Sequence, residues 1–202
     1  MKEYFEIVDV QSRLVKDLKG NDTIEVEVTL DDGTVGRACV SAQMVDGLAP
    51  ELAADNVNTE IEEALLGLNA LEQNYVDELL MEIDGQEGKR LGTNATLGTS
   101  MACCKAAAEA TGISLYNYIG GVNAKKIPEI LDESEERRGM KWYPTLTAML
   151  DDLSTGKYEI LCAGKTEETI MAHVAVAVGA KKLVCTPVIK NEIARIVEEI
   201  NG

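Results

Sequence analysis

The fold of this chain is decided by residues 83–121, which read IDGQEGKRLGTNATLGTSMACCKAAAEATGISLYNYIGG. Alanine and other small residues fill much of 94–111, between a glycine-rich segment and Gly112. Alanine favours a helix, and a glycine just past the last helical residue is a common helix end. The sequence therefore predicts a helix over 94–111 that approaches its neighbours closely, followed by a short helix over 114–119.

Strand patterns precede this stretch. Residues 23–30, TIEVEVTL, alternate strictly between apolar and polar side chains, which is typical of a half-buried antiparallel strand. Residues 31–33, Asp-Asp-Gly, predict a turn, and 34–41 is the expected hairpin partner. A further alternating run at 4–10 predicts a third strand, so we expect a three-stranded antiparallel sheet packed on a helical layer. The helices of that layer are predicted at 56–67, 70–83 and 94–111.

The end of the chain alternates between strand and helix patterns. The predicted elements are strands at 157–162 and 182–186 and helices at 144–155, 165–178 and 187–200. Pro187 suits the first turn of the last helix. Such close spacing of strands and helices predicts two parallel βα units. The expected fold class is therefore α+β, with a small βαβα segment after the antiparallel sheet.

These patterns divide the chain into three parts. We expect one domain over 1–121, a charged linker over 122–143 and the βαβα segment over 144–202. The linker mixes five acidic and five basic residues with Pro128. A solvated connector with one helical piece is the plainer interpretation of this composition, and a docking segment for a partner is the alternative.

The net charge excludes several classes of function. Thirty-five acidic and nineteen basic residues give a formal charge of −16. Because nucleic-acid affinity depends on neutralising phosphates with lysine and arginine, we expect no nucleic-acid partner, and no anionic membrane for the same reason. The charge is consistent with solubility, and an acidic surface that recruits a basic partner is the alternative.

Cysteine usage and the start of the sequence bear on the compartment. The five cysteines are an odd number without a regular spacing, and a single histidine is present, so the usual Cys/His zinc site is not predicted. Reduced thiols are typical of a reducing compartment. The first residues have no signal-peptide pattern, and the sequence has no run of 18 apolar residues. We therefore expect a cytoplasmic protein.

The order of motifs in the first 121 residues resembles the enolase family. Residues 17–23 resemble the family's first turn, which leads into a hairpin, and 83–121 follow a longer family pattern without interruption. The matching residues in that pattern are Asp84, Gly85, Lys89, Leu91, Gly92, Asn94, Ala95, Leu97, Gly98 and Ser100. The resemblance implies an enolase amino-terminal domain, with residues that are largely architectural.

The end of the chain has a weaker resemblance to the end of the enolase barrel. Residues 145–147, Thr-Leu-Thr, and the closing helix carry it. A complete (β/α)₈ barrel needs about 250 residues. The connecting segment of about twenty residues therefore leaves no room for the barrel strands that supply the family's magnesium ligands and base lysine. We expect no cofactor, and no magnesium bound in the family's way.

The resemblance also identifies departures at functional positions. Leu161 and Cys162 stand where the family has a histidine and an arginine that handle substrate phosphate. Ala42, or Ser41 after a slip of one residue, stands where a serine reaches magnesium. Lys182 falls where an active-site lysine is expected.

The residues themselves suggest a second site. Cys162 and Cys185 each close a predicted parallel strand just before a helix, where α/β proteins bind ligands and helix dipoles favour anions. The other candidates are Lys182 and, for ligand binding, Gly164, Lys165 and Thr166. Glu159 stands where a P-loop requires glycine, so a P-loop is excluded. The alternative is that both cysteines are small buried strand residues.

Three functions follow from these expectations. The first is a non-catalytic enolase-like protein with an interaction or regulatory role and a possible small anionic ligand. Exposed edges of a reduced barrel favour self-association into a homo-oligomer, or a protein partner. The alternatives are a small enzyme that uses the strand-end cysteines, and a residual lyase of the phosphopyruvate hydratase type.

Overall fold

The computed structural model describes residues 3–17, 19–40, 46–85, 89–131, 143–155 and 168–202, and the backbone of 160–162. The α+β fold class is confirmed. The chain forms two compact units: Met1–Gly112 with Trp142–Met149, and Ile113–Lys141 with Leu150–Gly202.

The first unit contains the predicted antiparallel sheet. Its strands are β1 (Ile7–Lys16), β2 (Asp22–Leu30) and β3 (Val35–Cys39), with β2 in the centre. The apolar positions of β2 face the core, because Ile24, Val26 and Val28 are fully buried. The first strand was predicted to end at residue 10, whereas β1 continues to Lys16, since it pairs with β2 over nearly all of its length.

The helices of the first unit cover the buried face of this sheet. They are α1 (Pro50–Asn56), a π-helical turn (Val57–Ile61), α2 (Glu62–Leu65), α3 (Gln73–Asp84) and α4 (Thr93–Thr111). The prediction that the first helix starts at residue 56 was wrong, because Pro50 already occupies the first turn of α1. The predicted small-residue helix is α4, which approaches the sheet closely. A Cβ on Gly36 of β3 would collide with Ala102 O and lie 2.9 Å from Ala106 Cα.

A parallel sheet lies in the second unit. Its strands are β4 (Glu129–Leu131), β5 (Ile160–Cys162) and β6 (Lys182–Val184), in the order β4-β6-β5. Helices α7 (Ile170–Ala177) and α8 (Pro187–Asn201) follow β5 and β6, so the predicted βαβα order is present. Two more helices, α5 (Leu115–Gly120) and α6 (Leu146–Ser154), complete the described elements.

Strand β4 corrects the interpretation of 122–143 as a linker with one helical piece. Ile130 pairs with Leu183 and Leu131 with Val184, so this part of the segment belongs to the parallel sheet. A run of three residues among many charges is too short for its pattern to be recognised before its partner strand is known. Residues 132–142 lie outside the described part of the chain.

Helix α7 is buried from Ile170 to Val176 and packs against α5. A Cβ on Gly120 would lie 2.6 Å from Ala177 Cα, so the two backbones are in close contact. Among the described residues, no helix combines the length and the hydropathy needed to cross a membrane.

Candidate functional site

The two strand-end cysteines occur at the same edge of the parallel sheet. Strands β5 and β6 are parallel neighbours, and Cys162 is in register with Val184, the residue before Cys185. The backbone therefore places both residues at the carboxyl edge, as the sequence predicted. Cys185 is a buried thiol with 5% exposure. For Cys162 the structure describes the backbone only.

Lys182 lies at the opposite edge of the sheet. It is the first residue of β6 and is in register with Glu129 on one side and Ile160 on the other. At a rise of about 3.3 Å per residue, it starts roughly 10 Å before Cys185. Its Nζ lies 3.5 Å from Glu129 Oε2. The structure does not bring Lys182 to the cysteines, because Lys182 begins β6 whereas Cys185 follows its last residue.

The candidate anion site at Gly164, Lys165 and Thr166 lies outside the described residues. The start of the following helix is described. Glu168 is buried at 5% exposure, and its Oε1 accepts a hydrogen bond from Ile170 N at 3.1 Å. A carboxylate of the chain itself therefore occupies the amino end of α7, where the helix dipole favours negative charge.

The amino end of α8 is also capped from within the chain. Thr186 Oγ accepts from Ile189 N at 3.5 Å, and Thr186 O accepts from Lys190 N at 3.0 Å. Threonine is a favoured residue at this position because its hydroxyl satisfies a helix N–H group. At the starts of α7 and α8, oxygen atoms of the chain itself therefore accept hydrogen bonds from N–H groups that could otherwise bind a ligand.

A buried polar cluster that the sequence did not predict lies between α5, α7 and α8. His173 Nε2 lies 2.9 Å from Glu192 Oε1, and the His173 ring stacks on Tyr116 with ring centres 6.1 Å apart. Arg195 donates to Glu192 from Nη2 at 2.6 Å. His173 is the single histidine of the chain, and the sequence around it has no metal-ligand spacing. Its partner, Glu192, lies 19 residues further along the chain, so only the packing of α7 against α8 reveals the pair.

The charge state of Glu192 follows from these contacts. Burial would raise the pKa of its carboxyl group, but the hydrogen bonds from Arg195 and His173 outweigh it and hold the pKa below the ordinary value. Glu192 is therefore a carboxylate at neutral pH, paired with two neighbours that hold its position. The arrangement ties α8 to α7.

Cys103 and Cys104 are poor candidates for chemistry. Burial raises the pKa of Cys104 to about 12 and raises the pKa of Cys103 further. Because the thiolate is the nucleophile, neither residue is activated at neutral pH. Ser41 and Ala42 fall outside the described residues. Within the described part of the chain, no group of three or more His, Cys, Asp or Glu side chains could hold a metal ion.

A comparison with protein families bears on the first unit. Residues 42–119 match the family model described as "Enolase, N-terminal domain". The matched range begins after β3 and takes in α1, α2, α3 and α4 and nearly all of α5. It contains the stretch from 83 onwards whose residues carried the resemblance.

Proposed function

We propose that this chain, which is related to the enolase family through its amino-terminal domain, is a non-catalytic protein with an interaction or regulatory role. The observation that carries the proposal is the use of the polar groups around the parallel sheet. Glu168 and Thr186 cap helices, and Lys182 pairs with Glu129 at the other edge. Side chains committed to the fold in this way are not placed to act on a substrate.

The chemistry of the family supports the same proposal. A hydratase that acts next to a carboxylate needs magnesium to stabilise a doubly charged intermediate and a lysine to remove the proton. The resemblance places those groups on barrel strands, and the segment between 121 and 144 is too short to contain these strands. Leu161 and Cys162 take the positions of the phosphate-handling histidine and arginine.

The partner that we favour is a second copy of this chain. Strands β4 and β5 are the outer strands of the parallel sheet as far as it is described. An outer strand has backbone N–H and C=O groups available for pairing with another chain. The charge of −16 makes a basic protein the alternative partner. We propose a small anion as a further ligand, whichever of these two partners binds.

The oligomeric state tests this proposal in solution. We expect light scattering after gel filtration to give a mass of at least twice the 21.8 kDa of one chain. Replacing Ile130 with proline removes a backbone donor from β4 and should lower that mass, since proline disrupts strand pairing. Val122→Pro is a control at an exposed position outside the described strands. A monomer at every concentration, with no stoichiometric complex captured, would refute the interaction role.

A small enzyme with strand-end cysteines is the second candidate. It is favoured by one observation, namely that Cys162 and Cys185 end neighbouring parallel strands at the same edge. The test is alkylation of the full chain near neutral pH, with the modified residue identified by mass spectrometry. Rapid reaction of Cys162 or Cys185 that phosphate compounds block would favour this candidate, with Cys103 and Cys104 as buried internal controls.

A further inference from the structure

The first turn of α6 is bound by side chains from two earlier helices. Leu146 N donates to Ser100 Oγ at 2.9 Å, and Thr147 N donates to Asp77 Oδ2 at 2.8 Å. The next amide, Ala148 N, donates to Thr145 Oγ at 3.3 Å. Since the first N–H groups of any helix have no partner within it, these three contacts supply the acceptors that α6 lacks.

Two of these acceptors are distant in sequence. Ser100 lies 46 residues before Leu146, and Asp77 lies 70 residues before Thr147. Helix caps normally come from the residue just before the helix, which here is Thr145. Asp77 on α3 and Ser100 on α4 therefore form a site that binds the amino end of another helix.

A side chain of α3 also holds the two acceptors in place. Gln73 Nε2 donates to Asp77 Oδ1 at 2.9 Å and to Ser100 Oγ at 3.1 Å. Asp77 is 3% exposed and Ser100 is fully buried. A buried carboxylate is stable only when donors surround it, and a helix amino end provides both donors and a favourable dipole.

Apolar contacts accompany the hydrogen bonds. Leu146 is 1% exposed and Met149 is 6% exposed, so both side chains of this short segment are buried. Trp142–Met149 belong to the first compact unit, and Leu150–Gly202 belong to the second. The bound segment is thus a small part of the chain, recognised by α3 and α4.

We propose that Asp77 and Ser100 form a latch that captures the first turn of α6. Its occupant is residues 145–148 of the same chain, and the latch controls whether this segment is docked or exposed. The proposal is independent of the interaction role, because it concerns a contact within one chain.

Hydrogen exchange of the full chain tests the latch. Asp77→Asn keeps the shape of the side chain but removes its charge, and Ser100→Ala removes the hydroxyl acceptor. We expect each change to accelerate exchange of the Leu146, Thr147 and Ala148 amides by about tenfold or more. The loss of one such hydrogen bond should increase the population of the open segment by about that factor. Glu78→Gln is the matched control, because Glu78 is the exposed carboxylate next to Asp77 on α3. It should leave exchange at these amides unchanged.

The same experiment has outcomes that would overturn the latch. Unchanged exchange at 146–148 in both variants would mean that the contacts do not hold the segment. An equal acceleration of amide exchange in α8, which the latch does not touch, would mean that the variants only weaken the whole fold. Protection of 146–148 that depends on protein concentration would show that a second copy supplies the occupant.

Discussion

Gly36 shows how a single residue allows α4 to lie directly on the sheet. A Cβ at this position would collide with the backbone of α4 at Ala102 and Ala106. Backbone atoms cannot turn aside as a flexible side chain does, so the helix or the strand has to move. Contact of this kind is the physical reason for a helix built from small residues.

We therefore predict that Gly36→Ala destabilises the protein. Overpacking of a tight interface typically costs about 1–3 kcal/mol. The free energy of unfolding, measured with urea, should fall by that amount. Glu109→Ala, at an exposed position of α4, is the control and should change it little. A Gly36→Ala protein as stable as the parent would contradict the close packing of α4 on β3.

Glu192 gives a prediction about pH. Its pKa in the folded protein lies below the ordinary value of 4.5, so its contacts stabilise the fold above that pH. This contribution is lost as the pH falls through the lowered pKa. Glu192→Gln should therefore lower the unfolding free energy at pH 7, and the difference from the parent should shrink in strongly acidic solution.

The control for this prediction lies on the same helix. Glu198 is exposed on α8, and Glu198→Gln should have little effect at either pH. Urea unfolding at pH 7 and below pH 4 compares the three proteins. A difference between the parent and Glu192→Gln that grows with acidity would have the wrong sign and would refute the assignment.

At the scale of elements, α5 and α7 are in close backbone contact. A Cβ on Gly120 would lie 2.6 Å from both Cα and O of Ala177 and 2.8 Å from its Cβ. We predict that Gly120→Ala lowers the unfolding free energy by about 1–3 kcal/mol, as overpacking does. Ala177→Gly removes only the Cβ, so the double variant should recover little of that loss.

The double variant distinguishes backbone contact from side-chain contact. Thermal and urea unfolding of the two single variants and the double variant give the coupling between the residues. Full recovery in the double variant would show that the two side chains alone clash, and that the helix backbones are further apart than the structure has them.

Elements with long patterns could be predicted from the sequence, whereas short ones could not. The alternation in 23–30 and the small residues of 94–111 identified β2 and α4, because each pattern spans several repeats. Strand β4 has only three residues, and its pairing with β6 depends on a segment more than fifty residues away. The helical period is regular only from residue 56, so the sequence does not predict the start of α1 at Pro50.

The candidate site was predictable only where strand direction determines it. Cys162 and Cys185 follow parallel strands, so their shared edge could be inferred before the structure was known. Lys182 begins its strand and therefore lies at the other edge, so the same rule separates it from the two cysteines. The pairing of His173 with Glu192 depends on helix packing, for which the sequence has no repeat or motif.

At the scale of the whole chain, the order of the parallel strands is informative. The first strand, β4, pairs with the last, β6, and β6 pairs with β5, the one before it. In a closed parallel barrel the first and last strands are also neighbours. The order β4-β6-β5 is therefore the order that three strands would have around the closure of a barrel.

The central proposal is that this chain, part of which matches an enolase amino-terminal domain, does not carry out the family reaction. The most direct measurement is a magnesium-dependent phosphopyruvate hydratase assay on the purified full chain, with an active enolase as the positive control. We predict no turnover above the rate without protein, at any magnesium concentration. Turnover that rises in proportion to this protein and disappears when magnesium is chelated would contradict the claim.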